Sequence, residues 1–342
     1  MFVIDFNKIK KRIIVEDNNK VIKAYKGFNK DMTCRGFQYE VGKEYETDDA
    51  VICETGFHSC ENPLDVMDYY FMDDNLNITR FCEVEQYGKI DKDNDRRDTK
   101  LASSKIKIKA ELKFADLVKL GVEWIKEKTF GKNDKEDSHS AKIGSSGDSA
   151  QIGSSGDYAQ IGSSGDSAKI GSSGDYAQIG SSGYYAKIGS SGYYAKIGSS
   201  GDYAKIGSSG DYAKIGSSGD SAKIGSSGDS AQIGSSGDSE KIGSSGDYAK
   251  IGSSGDYAKI GSSGDRAQIN SEGEDSVICC VGRDSIAKAK KGSWITLSEW
   301  KYDDKKNRYL PICVKTEQVD GERIKEDVYY KLIDGEFVEV EQ

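Results

Sequence analysis

The chain has 342 residues, with 57 acidic against 48 basic side chains, a formal charge of −9, forty glycines and only two prolines. That length predicts two or three domains. So little proline excludes collagen and proline-rich linkers, no apolar run is long enough for a transmembrane helix, and the acidic balance argues against nucleic-acid binding.

Met1 to Ile14 alternates apolar and basic residues without an apolar signal core, so a cytoplasmic protein is expected. The seven cysteines, an odd number in a long chain, fit reduced thiols. Residues 1–131 read as an α+β domain. Strands are expected at Val21–Tyr25, Phe37–Val41, Ala50–Cys53 and Arg80–Glu85. A helix is expected after Asn62 and Pro63, residue types that start helices, with Leu64, Val66, Met67 and Tyr70 on one side. A second helix is expected from Phe114 to Lys128, where Leu117, Leu120, Val122, Trp124 and Ile125 form an apolar stripe.

Several stretches of this region have specific wording: Ala24-Tyr-Lys-Gly-Phe28, Thr33-Cys-Arg-Gly-Phe37, Tyr39-Glu-Val-Gly42, Thr55-Gly-Phe-His-Ser-Cys60 with Pro63-Leu-Asp-Val66, and Arg80-Phe-Cys-Glu-Val-Glu85. The region resembles uncharacterised proteins of phage and prophage genomes, in which such a domain is followed by short Gly/Ala/Ser repeats and a small tail. The resemblance implies a phage-associated setting and carries over no catalytic residue. Two chemical readings stand beside it. Cys34, Cys53, His58, Cys60 and Cys82 are zinc-ligand types, but Cys53-x4-His58-x-Cys60 is not a paired knuckle, and buried free thiols are the ordinary reading. Gly56-Phe-His58 before a helix, with Glu83-Val-Glu85 on a strand, is similar to an ADP-ribosyltransferase core, which would make Glu85 catalytic and His58 a site residue. The other motifs of that family are not evident, so a non-enzymatic protein without cofactor or metal is expected.

From Ile143 to Gln268 the chain repeats every nine residues for 14 units: Ile-Gly-Ser-Ser-Gly, then usually Asp, Ser or Tyr, Ala, and Lys or Gln. An aliphatic residue kept in every unit is the mark of a packed solenoid rather than a flexible linker. Asp-Tyr-Ala-Lys-Ile reads as the strand, with Ala and Ile inward, and Gly-Ser-Ser-Gly as a turn whose glycines take positive φ. Two units make the smallest sensible coil, 18 residues in a two-sided β-roll; three would make a triangular coil of 27. The thin core suits Ala and Ile, so the two-sided roll is favoured, giving seven coils over roughly 34 Å. The fold class expected is therefore mainly β: a parallel β-solenoid over residues 132–277, with atypical units at its ends, flanked by the α+β domain and a β-rich C-terminal cap over 278–342. In that cap Asp334-Gly335 marks a hairpin, and strands such as Tyr329–Ile333 could support self-association.

With two units per coil, Tyr158, Tyr176, Tyr194, Tyr212 and Tyr248 fall on one side and are the candidate binding residues, or else a row that stabilises the roll by stacking. Stacked Asp residues would repel unless Lys, water or a cation relieves them. Tyr184 and Tyr193, in place of Asp, imply that this position is exposed. Glu240, in place of Ala, needs a corner or a local partner. The array is similar to the calcium-binding nonapeptide of secreted toxins, but Asp directly follows Gly here. It is also similar to trimeric-adhesin head repeats. No threonine ladder supports ice binding. The function expected is a structural or macromolecule-binding protein of phage or prophage, presenting Tyr/Lys/Asp faces to a host or phage macromolecule, in the host cytoplasm or on the virion. Inhibition of a host defence protein is an alternative use.

Overall fold

The computed structural model describes residues 12–16, 21–70, 79–93, 98–129 and 140–341. The chain is mainly β and divides into two compact units, one ending at Lys113 and one running from Phe114 to the C-terminus.

The first unit contains β1 (Arg12–Glu16), β2 (Ile22–Phe28), the short β3 (Thr33–Cys34) and β4 (Phe37–Gln38), β5 (Glu44–Glu46), β6 (Phe57–Cys60), β7 (Arg80–Asp93) and β8 (Lys100–Leu112). Its six-stranded antiparallel sheet has the order β1-β7-β2-β6-β8-β5, and β7 also pairs with β8. Strands β7, β2, β6 and β8 thus close on themselves around Ala24, Phe28, Phe57, Val84, Ile106 and Ile108. β7 reaches both partners because irregularities at Glu83/Val84 and Tyr87/Ile90 bend it, with Gly88 at φ 81 in the second.

Two expected elements differ. Ala50–Cys53 is not a strand: a lone bridge, Val51 to Thr55, closes a tight turn with Cys53 at φ 68, and Ile52 N donates to Asp91 Oδ2 at 2.8 Å. The segment beginning at Phe37 pairs for only two residues, because Arg35 and Gly36, at φ 50 and 76, make a two-residue hairpin turn. The element after Asn62 is a 3-10 segment, Pro63–Asp68, capped by Asn62 Oδ1, which accepts from Leu64 N at 3.1 Å.

The second unit opens with α1 (Phe114–Thr129), followed from Lys142 by the solenoid. Parallel strands pair with a register of 18 residues, Ile152 on Ile170 and Ile161 on Ile179, so alternate units build two opposed sheets. The coil is the expected two-unit roll, but its frame is shifted. The strand is Lys/Gln-Ile-Gly-Ser, and the corner is Ser-Gly-Asp-Tyr/Ser-Ala. Ala, Ile and the first Ser of each unit point inward, Ala at 0% exposure through most of the stack.

The positive φ falls not on glycine but on the residue after Asp, for example Tyr176 at 58° and Ser221 at 57°. That conformation is held from coil to coil, Tyr176 N donating to Tyr193 O at 2.7 Å. The corner glycine serves close approach instead. A Cβ on Gly192 would lie 2.0 Å from Gly174 O in the coil below.

The solenoid does not stop at Val277. Val277–Cys280 and Trp294–Leu297 continue one sheet in parallel register, and Ile286–Lys288 the other, because Ile278, Ala287 and Ile295 keep the inward aliphatic position. This gives about nine turns over residues 142–297. Two antiparallel hairpins then finish the sheets, Trp294–Asp303 with Arg308–Gln318, and Tyr330–Ile333 with Glu336–Glu339 through the Asp334-Gly335 turn. Tyr330, in the strand read as a candidate for self-association, pairs with Ala287 and is buried. Before the array, residues 134–139 of the atypical first unit lie outside those described. α1 lies across the outer face of the first four strands on its side, where the outward Gly198 leaves room for Val118.

Candidate binding surfaces of the solenoid and a cationic cavity

The candidate tyrosines sit at a corner of the coil rather than on a sheet face. Tyr158, Tyr176, Tyr194 and Tyr212 stack with centroids 5.1, 5.0 and 4.9 Å apart and nearly parallel rings. Ser230 interrupts the row. Tyr248 beyond it receives Arg266, whose guanidinium lies 5.2 Å over the ring and donates to the hydroxyl. At the opposite corner only Tyr185 and Tyr203 stack, at 5.2 Å. The ring faces are spent on one another, so the row offers hydroxyls and ring edges to a partner.

The aspartates beside them are hydrogen-bonded from coil to coil. Each carboxylate caps the coil above: Asp157 Oδ1 accepts from Asp175 N at 3.0 Å, and Asp229 Oδ1 from Asp247 N at 2.8 Å. Tyr184 and Tyr193 end two such runs; both are half exposed, and the runs resume at Asp202 and Asp211. Glu240 is fully buried. Its carboxylate accepts from Ser235 Oγ and, at 3.1 Å, from Ser253 Oγ, while burial pushes its pKa up to about 7.

The lysines are unevenly divided between the sheets, with Lys196, Lys214 and Lys250 on the α1 side and the other six of the array on the opposite side. Under α1 the outward position holds Lys142, partly buried over the Trp124 ring, and Gln160, Gln178 and Lys196, all buried. On the opposite sheet it holds Lys169, Lys187, Lys205, Lys223, Lys241 and Lys259, in register and exposed along a floor of outward glycines. Strand spacing puts the backbones of neighbouring lysines roughly 4.8 Å apart. None of the six has an ion-pair partner among the described residues. The row runs on in register to Val277 and Trp294, both exposed.

The first unit holds a cavity of about 410 Å³ between the β3–β4 hairpin, β6 and the 3-10 segment. Lys26, on β2, is buried within its wall; Nζ donates to His58 O at 2.9 Å and to Cys34 Sγ at 3.3 Å, and lies 5.5 Å from the Phe28 and Tyr39 rings. Burial lowers its pKa. Lys100, on β8, is also buried; Nζ donates to Cys53 Sγ at 3.5 Å and lies 4.2 Å over the Tyr69 ring. Tyr70 donates to Cys34 Sγ at 3.1 Å, and burial pushes its hydroxyl up to about 12.

His58 accepts from Cys53 N at 2.9 Å, and burial, then Lys100 and Lys26, push its pKa down to about 4, so the ring is neutral. Cys34 and His58 line this cavity, whereas Cys82 lies in the barrel core, its thiol pushed up to about 12 by burial. Among the described residues no three His, Cys, Asp or Glu side chains are placed to hold a metal ion. Glu83 and Glu85 do not line the cavity; they pair with Lys23 and Lys109, each at 2.9 Å. Lys26 and Lys100 were not singled out in the sequence. The one available signal was alternation in β2, which puts Lys26 on the same side as Ile22, Ala24 and Phe28.

Residues 22–120 match a family described as a domain of unknown function (DUF7666). No curated protein and no solved structure matches the chain. The molecule is thus a β-solenoid repeat protein that carries an uncharacterised domain.

Proposed function

We propose that this is a non-enzymatic binding protein whose solenoid lays a narrow, single-chain polyanionic macromolecule along its lysine row. The observation that carries this reading is the row itself, six in-register ammonium groups without carboxylate partners beside a glycine floor. Such a row repels itself, and a linear anion relieves it. The net charge of the array, −3 from 12 Asp and Glu240 against nine Lys and Arg266, hides this sorting. The face is only four residues, roughly 13 Å, wide, and aspartates stand at both corners, which disfavours a broad duplex. The tyrosine row and Trp294 are further contacts beside it. The phage-like wording of the N-terminal region favours a host or phage polymer, met in the host cytoplasm or on the virion.

Glutamine occupies the same outward position in several units, so Lys187→Gln, Lys205→Gln and Lys223→Gln together leave the fold intact. The triple variant is expected to lose tenfold or more in affinity for a sulfated polysaccharide or single-stranded DNA, with a shallower salt dependence. Unchanged binding, or equal binding of duplex and single strand, counts against the reading. Co-purification with virions marks a structural use, and a stoichiometric host protein a defence inhibitor.

A further inference from the structure

The first unit carries an unusual electrostatic debt. Lys26 is 6% exposed and Lys100 7%, and among the described residues neither ammonium has a carboxylate partner. A buried charge without a counter-ion is strongly disfavoured. Both groups line the same cavity, and both act on His58 between them. Two protons of Lys26 are taken by His58 O and Cys34 Sγ, leaving one for a further acceptor. Arg35 adds a third cation at the rim, held at φ 50 by the hairpin turn. Glu46, also at the wall, is paired with Lys105 at 2.9 Å. The rest of the wall mixes the aromatic Phe37, Tyr39, Tyr69 and Tyr70 with polar groups, among them the Glu54 carboxylate.

We infer that this cavity is a binding site for a small phosphate monoester with a flat apolar body, its phosphate set between Lys26 and Lys100. Two buried positive charges call for a dianion, which a phosphomonoester supplies and a single carboxylate does not. The rings beside the lysines suit a planar group, and 410 Å³ lies within the range of small-molecule pockets. Gly27 keeps the wall in place, since a Cβ there would lie 2.3 Å from Tyr70 Cβ.

Phenyl phosphate, inorganic phosphate and benzoate, titrated into the full chain by calorimetry, test the site. Phenyl phosphate is expected to bind at one per chain, at least tenfold tighter than either of the others, and to shift the His58 imidazole resonances. Lys26→Met and Lys100→Met are each expected to weaken it tenfold or more without lowering the melting temperature of the free protein, because each removes an unpaired buried charge. Arg35→Gln, at the exposed rim, gives a smaller loss and serves if either methionine variant fails to fold. The lysine-row triple variant is expected to bind phenyl phosphate as the parent does, which separates this site from the solenoid reading. Absence of binding at millimolar phenyl phosphate, equal affinity for all three probes, or unmoved His58 resonances overturns the inference.

Discussion

Glu240 and the inward serines show how single side chains depart from the repeat. Glu240 has its folded pKa raised from the ordinary 4.5 to about 7. The folded protein therefore holds a proton that the unfolded chain releases, and stability falls as pH rises from about 4.5 through 7. Glu240→Ala restores the residue of the other units. It should raise the melting temperature slightly at pH 5 and more at pH 8, by an amount worth up to about 3 kcal/mol; an effect independent of pH would contradict this. The inward serine is a second case. Ser199 and Ser217 are fully buried with no partner for the hydroxyl, whereas Cys280 and Leu297 fill the same place in later coils. Ser199→Ala should thus stabilise the protein by roughly 1 kcal/mol in thermal unfolding. The sequence marked Glu240 as an anomaly, but the serines read as turn residues, because Gly-Ser-Ser-Gly has no local feature that separates an inward hydroxyl from an exposed one.

At the scale of the element, two kinds of glycine share one unit and answer to different forces. The corner glycines touch the carbonyl of the coil below, whereas the outward glycine of the lysine face meets open space. Gly192→Ala should cost roughly 3 kcal/mol or more, while Gly225→Ala should be nearly neutral or mildly stabilising; chemical denaturation of the two variants compares them. The period, the inward Ala and Ile and the two-unit coil were legible in the sequence because they follow from spacing alone. The strand frame was not, because the positive φ could be assigned to glycine as easily as to tyrosine. The sorting of Lys and Gln between sheets was legible in alternate units, but only once each sheet was counted separately. In the first unit, long β8 was missed although Lys105-Ile-Lys-Ile-Lys109 alternates, because its first five residues, Lys-Leu-Ala-Ser-Ser, do not. The cavity was missed because its lysines meet only through pairing of β2 with β6 and β6 with β8.

Across the whole molecule the parity of units matters. Deleting two units, 18 residues, should shorten the solenoid by one coil and preserve both faces, as measured by unchanged circular dichroism and melting. Deleting one unit should move every later lysine and tyrosine to the other side and mismatch the terminal hairpins, with a lower melting temperature and loss of polyanion binding. Equal behaviour of the two deletions would contradict an 18-residue coil.

The near-identity of the coils has a further consequence. A strand that docks one coil too early finds the same Ile, Ser and Ala neighbours, so the interior alone barely distinguishes correct from slipped assembly. The distinction rests on the features that occur once: α1 against the first four strands of its sheet, Glu240 with its two serines, and the hairpins after Leu297. These fiducials set the alignment that the repeats themselves leave degenerate.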